Sequence, residues 1–129
     1  MRLFHRKTNR LYSEKEIGAL FDQGSSNNIH PIRLVYKMDE FDPCGYKLLV
    51  SVSKKNIRNA VGRNLVKRRM REAFRKNATN LKQELCEKGI SCDIAFIYSS
   101  KKIINYSEIE AIVLRQIKYL SKTVERFEK

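Results

Sequence analysis

The sequence has no tryptophan and only two prolines, five glycines and three cysteines among 129 residues. No stretch approaches the roughly 20 consecutive apolar residues that span a bilayer, so no membrane partner is expected. The opening ten residues, Met1 to Arg10, lack the apolar core of a secretory signal, and a cytoplasmic location is expected. Cys44, Cys86 and Cys92 are odd in number and lack the paired spacing of a zinc site. Free thiols in a reducing compartment are the expectation. No glycine-rich nucleotide loop appears, and His5 and His30 stand far apart. The nearest carboxylate cluster, Asp39, Glu40 and Asp42, sits beside Pro43 and Gly45 and reads as a turn. Neither two-metal hydrolysis nor His- or Lys-based acid–base chemistry finds its residues, so no catalytic residue and no metal ligand are expected in the protein.

Acidic residues are the other shortage. The chain has 27 Lys and Arg against 14 Asp and Glu, for a net charge of +13. Between Lys54 and Lys76 ten cations face the single acid Glu72, a local charge of +9. Concentrated positive charge on one rigid element attracts a polyphosphate backbone, because each neutralised phosphate releases condensed counterions. Nucleic-acid binding is the function class this points to. At 42% hydrophobic and 32% charged the chain is globular in type and fits one domain over 1–129.

Residues 1–10 read as a basic, flexible arm. Ser13 and Glu16 have capping-box spacing, with Tyr12 and Ile17 as the hydrophobic staple. A short helix over 14–22 follows, with Gly24 as a left-handed stop and a loop through Asn28. Pro31 to Met38 and Tyr46 to Ser53 alternate as strands and are expected to pair as a hairpin. Another strand covers Cys92 to Tyr98. Ser107 and Glu110 suggest a second capping box, and apolar residues then recur at helical spacing to about residue 126. The order helix, strands, helix, strand, helix gives a single-domain α+β sandwich, with helices on one face of a small sheet and the other face open or lightly covered.

A basic helix over 60–86 carries two stripes. Val66, Met70, Ala73, Phe74 and Leu81 form the core-facing side, and Asn64, Arg68, Arg71 and Arg75 gather on another. Arg63 and Lys67 flank the boundary, Lys54, Lys55 and Arg58 lead into the helix, and Asn59 is its N-cap. An ordinary solvated helix mixes charge signs, whereas this face repels itself unless a partner neutralises it. Asn64 suits either an amide hydrogen bond to a phosphate or base edge or a tolerated surface position. Gly62 fits either a close backbone approach or a frayed first turn.

Ser51-Val52-Ser53-Lys54-Lys55, then Asn59-Ala60-Val61, then Arg63-Asn64, Lys67-Arg68, Arg71 and Ala73-Phe74 resemble the signature of the bacterial ribonuclease P protein subunit. The order of elements extends the resemblance over nearly the whole chain. Leu65 stands where that family often has Arg, and is expected near Glu72, away from the Arg68 stripe. The resemblance implies a fold like the second domain of ribosomal protein S5, with a left-handed β-α-β crossover. It implies a monomeric protein within a ribonucleoprotein, whose RNA subunit cleaves the 5′ leader from precursor tRNA using Mg2+ bound mainly by the RNA. Lys54, Lys55, Arg58, Arg63, Asn64, Lys67, Arg68, Arg71 and Arg75 would contact RNA. Ile17, Phe21, Tyr36, Ser51 and Ser53 would line a cleft for the single-stranded leader, although Phe21 also fits an ordinary core position. A non-enzymatic RNA-binding module and a DNA-binding regulator share the charge map, and the signature separates the first reading from both.

Overall fold

The computed structural model describes residues 14–40 and 44–127, so the basic arm, Tyr12, Ser13, Asp42 and Pro43 lie outside the described residues. The chain folds as α1 (Glu14–Gln23), β1 (Ser25–Ile29), β2 (Ile32–Asp39), β3 (Gly45–Val52), α2 (Ala60–Asn77), α3 (Thr79–Lys88), β4 (Ser91–Tyr98) and α4 (Tyr106–Arg126). The four strands form one sheet in the order β1-β2-β4-β3. β1 pairs antiparallel with β2 and β2 with β4, whereas β3 and β4 run parallel, joined by the crossover through α2 and α3.

Period-two alternation assigns the faces. Ile32, Leu34 and Tyr36 of β2, Val50 and Val52 of β3, and Ile94, Phe96 and Tyr98 of β4 enter the main core with α2, α3 and α4. The other face carries a smaller cluster, where Leu20 of α1 meets Val35 and Ala95, with Ile17, Leu49 and Ile97 packed around them. β4 is central and buried on both sides, so Ile94, Ala95 and Phe96 are all inaccessible. This is the expected α+β sandwich, with the second face lightly covered.

The pairing differs from expectation. β2 and β3 do not form a hairpin, because β4 inserts between them and pairs with both. The hairpin joins β1 to β2 through His30-Pro31, with Ser25 opposite Tyr36 and Ile29 opposite Ile32. Residues 25–29 are therefore a strand where a loop was expected. Their polar composition hides it, but an edge strand with only one paired side tolerates Ser and Asn.

The basic segment is two helices rather than one over 60–86. The Asn77 amide donates to the Ala73 carbonyl at 2.7 Å and to Glu110 at 3.1 Å, competing with continuation of the helix, and the chain breaks at Ala78. Leu81 thus belongs to α3. The left-handed stop occurs at Gly89, with φ 67°, and not at Gly24. Gly24 serves close approach instead: a Cβ there would lie 2.3 Å from the Leu20 carbonyl oxygen and 2.8 Å from that of Tyr36. α4 is capped by Asn105, whose side chain accepts from the Glu108 amide at 2.9 Å, two residues ahead of the expected Ser107.

Cys44 and Cys86, expected as free thiols, form a disulfide between the start of β3 and α3, with Cα atoms 5.0 Å apart. Spacing could not reveal this, because only the tertiary fold brings two residues 42 positions apart together. Cys92 remains a free thiol, buried, and burial pushes its pKa up.

Gln116 fixes α4 to the sheet. It is fully buried, accepts from the Asn27 side chain at 2.9 Å, and donates to the carbonyls of Asn27 and Ile32 at 3.1 and 2.9 Å. Gly24→Ala should lower the unfolding free energy by about 1–3 kcal/mol, the cost of forcing atoms into a filled space. Gly18→Ala lies in an α1 position with nothing within 4 Å of its added methyl. That change should raise stability by up to about 1 kcal/mol. Urea unfolding of the two variants checks both signs.

Candidate nucleic-acid interface

α2 is held by its underside. Val66, Met70, Ala73 and Phe74 are all fully buried. Phe74 meets Tyr46 and Phe96 edge-on at ring separations of 4.9 and 5.5 Å. Asn59 caps the helix as expected, accepting from the Val61 amide at 2.7 Å. The first turn contains no acid, so the positive end of the helix dipole adds to the surrounding cations instead of being offset.

The loop from β3 into α2 is tightly built. Ser53 accepts from the Asn56 and Ile57 amides, and the buried Ile57 side chain pins the loop to the core. Arg63 bridges the junction, donating to the carbonyls of Ile57 and Arg58 at 3.0 and 2.7 Å. Arg63 therefore has a structural task besides its charge. Lys54, Lys55 and Arg58 remain exposed at this end.

Along the outer face, Asn64, Lys67, Arg68 and Arg71 line one shallow basin of about 520 Å³ together with Val61 and Leu65. Leu65 thus shares the Arg68 basin rather than standing apart from it. Arg75 continues the face one turn on, exposed, and pairs with Glu72 at 2.5 Å. That hydrogen bond holds the Glu72 carboxyl below its ordinary range and raises the Arg75 guanidinium. Two further cations of the segment serve the fold: Arg69 donates to the Ile104 carbonyl at 2.7 Å, and Lys76 lies 5.7 Å from the centre of the Tyr106 ring.

The residues expected to line a leader cleft do not all share a face. Ile17 and Ile97 both pack against the Leu20 cluster, and Ser51 is the register partner of Ile97, so Ile17 and Ser51 lie on the α1 side. Phe21 projects from α1 with 44% of its surface exposed and is not core. Ser53 lies just beyond β3, where its hydroxyl accepts from the Asn56 amide. Tyr36 sits on the opposite face of the sheet: its ring packs edge-on against Tyr119 of α4 at 5.8 Å, with the hydroxyls 3.2 Å apart. The alternation that places Val35 toward α1 turns its neighbour Tyr36 away.

The α1 face also bears charges that the sequence alone did not point to. Lys47 pairs with Glu16 at 2.7 Å and Lys37 with Asp39 at 2.5 Å, while Asp93 lies between Lys37 and Lys47 in register. The signal was present in the strand alternation, once β4 is known to separate β2 from β3. Among the described residues, no three or more His, Cys, Asp or Glu are arranged to hold a metal ion. Among them, too, no helix is long and apolar enough to cross a membrane.

Fold and surface together define a small single-domain α+β protein presenting a cation-rich helix on a rigid, buried base. A family model described as Ribonuclease P matches residues 5–122. The ribonuclease P protein component of Porphyromonas gingivalis is 37% identical over 112 residues, 86% of this chain and 82% of the relative. That of Chlorobium phaeobacteroides is 38% identical over 106 residues, covering 72% and 70%. The Staphylococcus aureus RNase P protein shares the fold with a TM-score of 0.67 at 23% identity, covering 88% of this chain and 95% of that one. The Thermotoga maritima RNase P protein does so at 0.66 and 22%, covering 93% and 98%. The chain belongs to the ribonuclease P protein family.

Burial and the Glu16 carboxylate raise the pKa of Asp93, outweighing Lys47 and Lys37. The folded state then holds this proton more tightly than the unfolded chain, so Asp93 subtracts stability as pH rises through the folded value. Asp93→Asn should therefore gain stability relative to the parent as pH rises from below the ordinary carboxylate range. Denaturant midpoints across that rise measure it, and a constant difference would contradict the assignment.

Proposed function

We propose that this chain is the RNA-binding protein subunit of a ribonuclease P ribonucleoprotein, working in the cytoplasm as a monomeric protein alongside the catalytic RNA. It binds that RNA and the 5′ leader of precursor tRNA, and supports endonucleolytic maturation of the tRNA 5′ end. The RNA carries the catalysis with Mg2+, and the protein contributes electrostatics and positioning. The observation that carries this reading is the α2 face: Asn64, Lys67, Arg68 and Arg71 around one basin, with Arg75 beyond, on a helix whose other side is locked in the core.

The action follows from charge. Two RNAs brought together repel each other, and a row of fixed guanidinium groups screens that repulsion while releasing counterions. Lowering the repulsion also lowers the Mg2+ concentration that the complex needs. On the α1 side, which also carries Ile17 and Ser51, the exposed Phe21 ring offers a stacking surface for an unpaired leader nucleotide.

Reconstitution with a bacterial ribonuclease P RNA should increase precursor tRNA cleavage at low Mg2+, and no gain there would remove the proposed function. Phe21→Ala should weaken binding of leader-bearing precursor about fivefold or more while leaving mature tRNA nearly unchanged. Equal losses for both substrates would show that Phe21 does not touch the leader.

A further inference from the structure

The large hydrophobic side chains exposed among the described residues are Phe21, Val61, Ile103 and Leu114. Val61 belongs to α2's first turn, where Ile103 approaches the neighbouring Gly62. A Cβ on Gly62 would lie 3.1 Å from Ile103 Cδ1 and 3.0 Å from Ile57 Cγ2, so the glycine lets two side chains close over the helix, not a backbone. Val61 is 76% exposed, and Leu65, one turn further on, lines the same basin with Asn64, Lys67, Arg68 and Arg71. An apolar ledge therefore lies within the most positive surface of the protein.

Phosphates cannot satisfy such a ledge. Water-exposed apolar surface gains by contact with another apolar face, and an unstacked nucleobase supplies one together with its own flanking phosphates. The ledge is also held in place before any ligand arrives. Asn59 fixes the turn bearing Val61. The Tyr98 hydroxyl donates to the Lys102 carbonyl and accepts from the Ile104 amide, and Arg69 holds the Ile104 carbonyl, so Ile103 is bracketed on both sides. Little ordering is left to oppose binding.

We propose that the first two turns of α2 form a nucleobase site: Val61, Leu65 and Ile103 take the face of one unstacked RNA base, while Asn64 reads its edge and Lys67 and Arg68 hold the adjoining phosphates. The proposal rests on the RNA-binding reading above and adds a contact that is not electrostatic. Asn64 has both a donor and an acceptor to offer a base edge. The surrounding cations select a polyanion over an apolar protein segment as the occupant.

The test measures binding of the full-length protein to a bacterial ribonuclease P RNA transcript as a function of salt, with Val61→Ala, Val61→Lys and Arg68→Ala. Val61→Ala should weaken binding about fivefold with the log–log salt slope unchanged. Arg68→Ala should make the slope shallower by about 0.7–0.9. Val61→Lys is decisive, because it adds a cation to a polyanion-binding face: the nucleobase site predicts weaker binding, and a purely electrostatic face predicts tighter binding with a steeper slope. Tighter binding by Val61→Lys, or indifference to Val61→Ala, overturns the nucleobase site while leaving RNA binding intact. Failure of the unaltered protein to bind the transcript overturns the RNA-binding reading and this proposal with it. Val61 is exposed, so urea midpoints of its two variants should match the parent and separate binding from folding.

Discussion

Repulsion among like charges on α2 is the constraint around which the rest of the molecule is arranged. Ten Lys and Arg against one acid between Lys54 and Lys76 would fray or displace a helix held only by its own hydrogen bonds. Here burial opposes that tendency. Val66, Met70, Ala73 and Phe74 lie fully inside, with Phe74 set edge-on between Tyr46 and Phe96. The protein also removes some cations from the conflict: Arg63 closes the entry loop, Arg69 ties α2 to the segment before α4, and Glu72 answers Arg75. Lys54, Lys55, Arg58, Asn64, Lys67, Arg68 and Arg71 lie along the loop and the outer face, a surface suited to a polyanion.

The two faces of the sheet divide the labour. On one, the crossover through α2 and α3 together with α4 builds the main core and presents the basic ridge. On the other, α1 covers only a small cluster, leaving Phe21 exposed on the face that also carries Ile17 and Ser51. β4 serves both faces, pairing with β2 and β3 and contributing Phe96 to one core and Ala95 to the other. A side chain's neighbours therefore depend on its parity along the strand, which separates Tyr36 from Phe21.

Much of this was legible in the sequence wherever local physics decides. The apolar stripe of α2, its Asn59 cap, the amphipathic α4 and the alternation of β2 and β3 all follow from periodicity and capping chemistry. Long-range facts were not legible. The insertion of β4 between β2 and β3, the Cys44–Cys86 disulfide and the contact of Ile103 with Gly62 depend on tertiary placement. β1 escaped because Ser25, Ser26, Asn27 and Asn28 carry loop-forming composition in an edge strand. The break at Ala78 depends on Asn77 reaching Glu110 across to α4. Of the expected site residues, those on α2 gather as the helical pattern requires, whereas Tyr36 lies across the sheet from α1, because which face α1 covers is set by tertiary placement and not by strand alternation.

The dependence of RNA affinity on salt tests the central claim most directly. Affinity for a bacterial ribonuclease P RNA should fall linearly on a log–log scale as salt rises, with about 0.7–0.9 of slope for each phosphate that the α2 face engages and several such contacts in the total. An affinity indifferent to salt would contradict the account, because the outward cations of α2 would then have no polyanion to neutralise them.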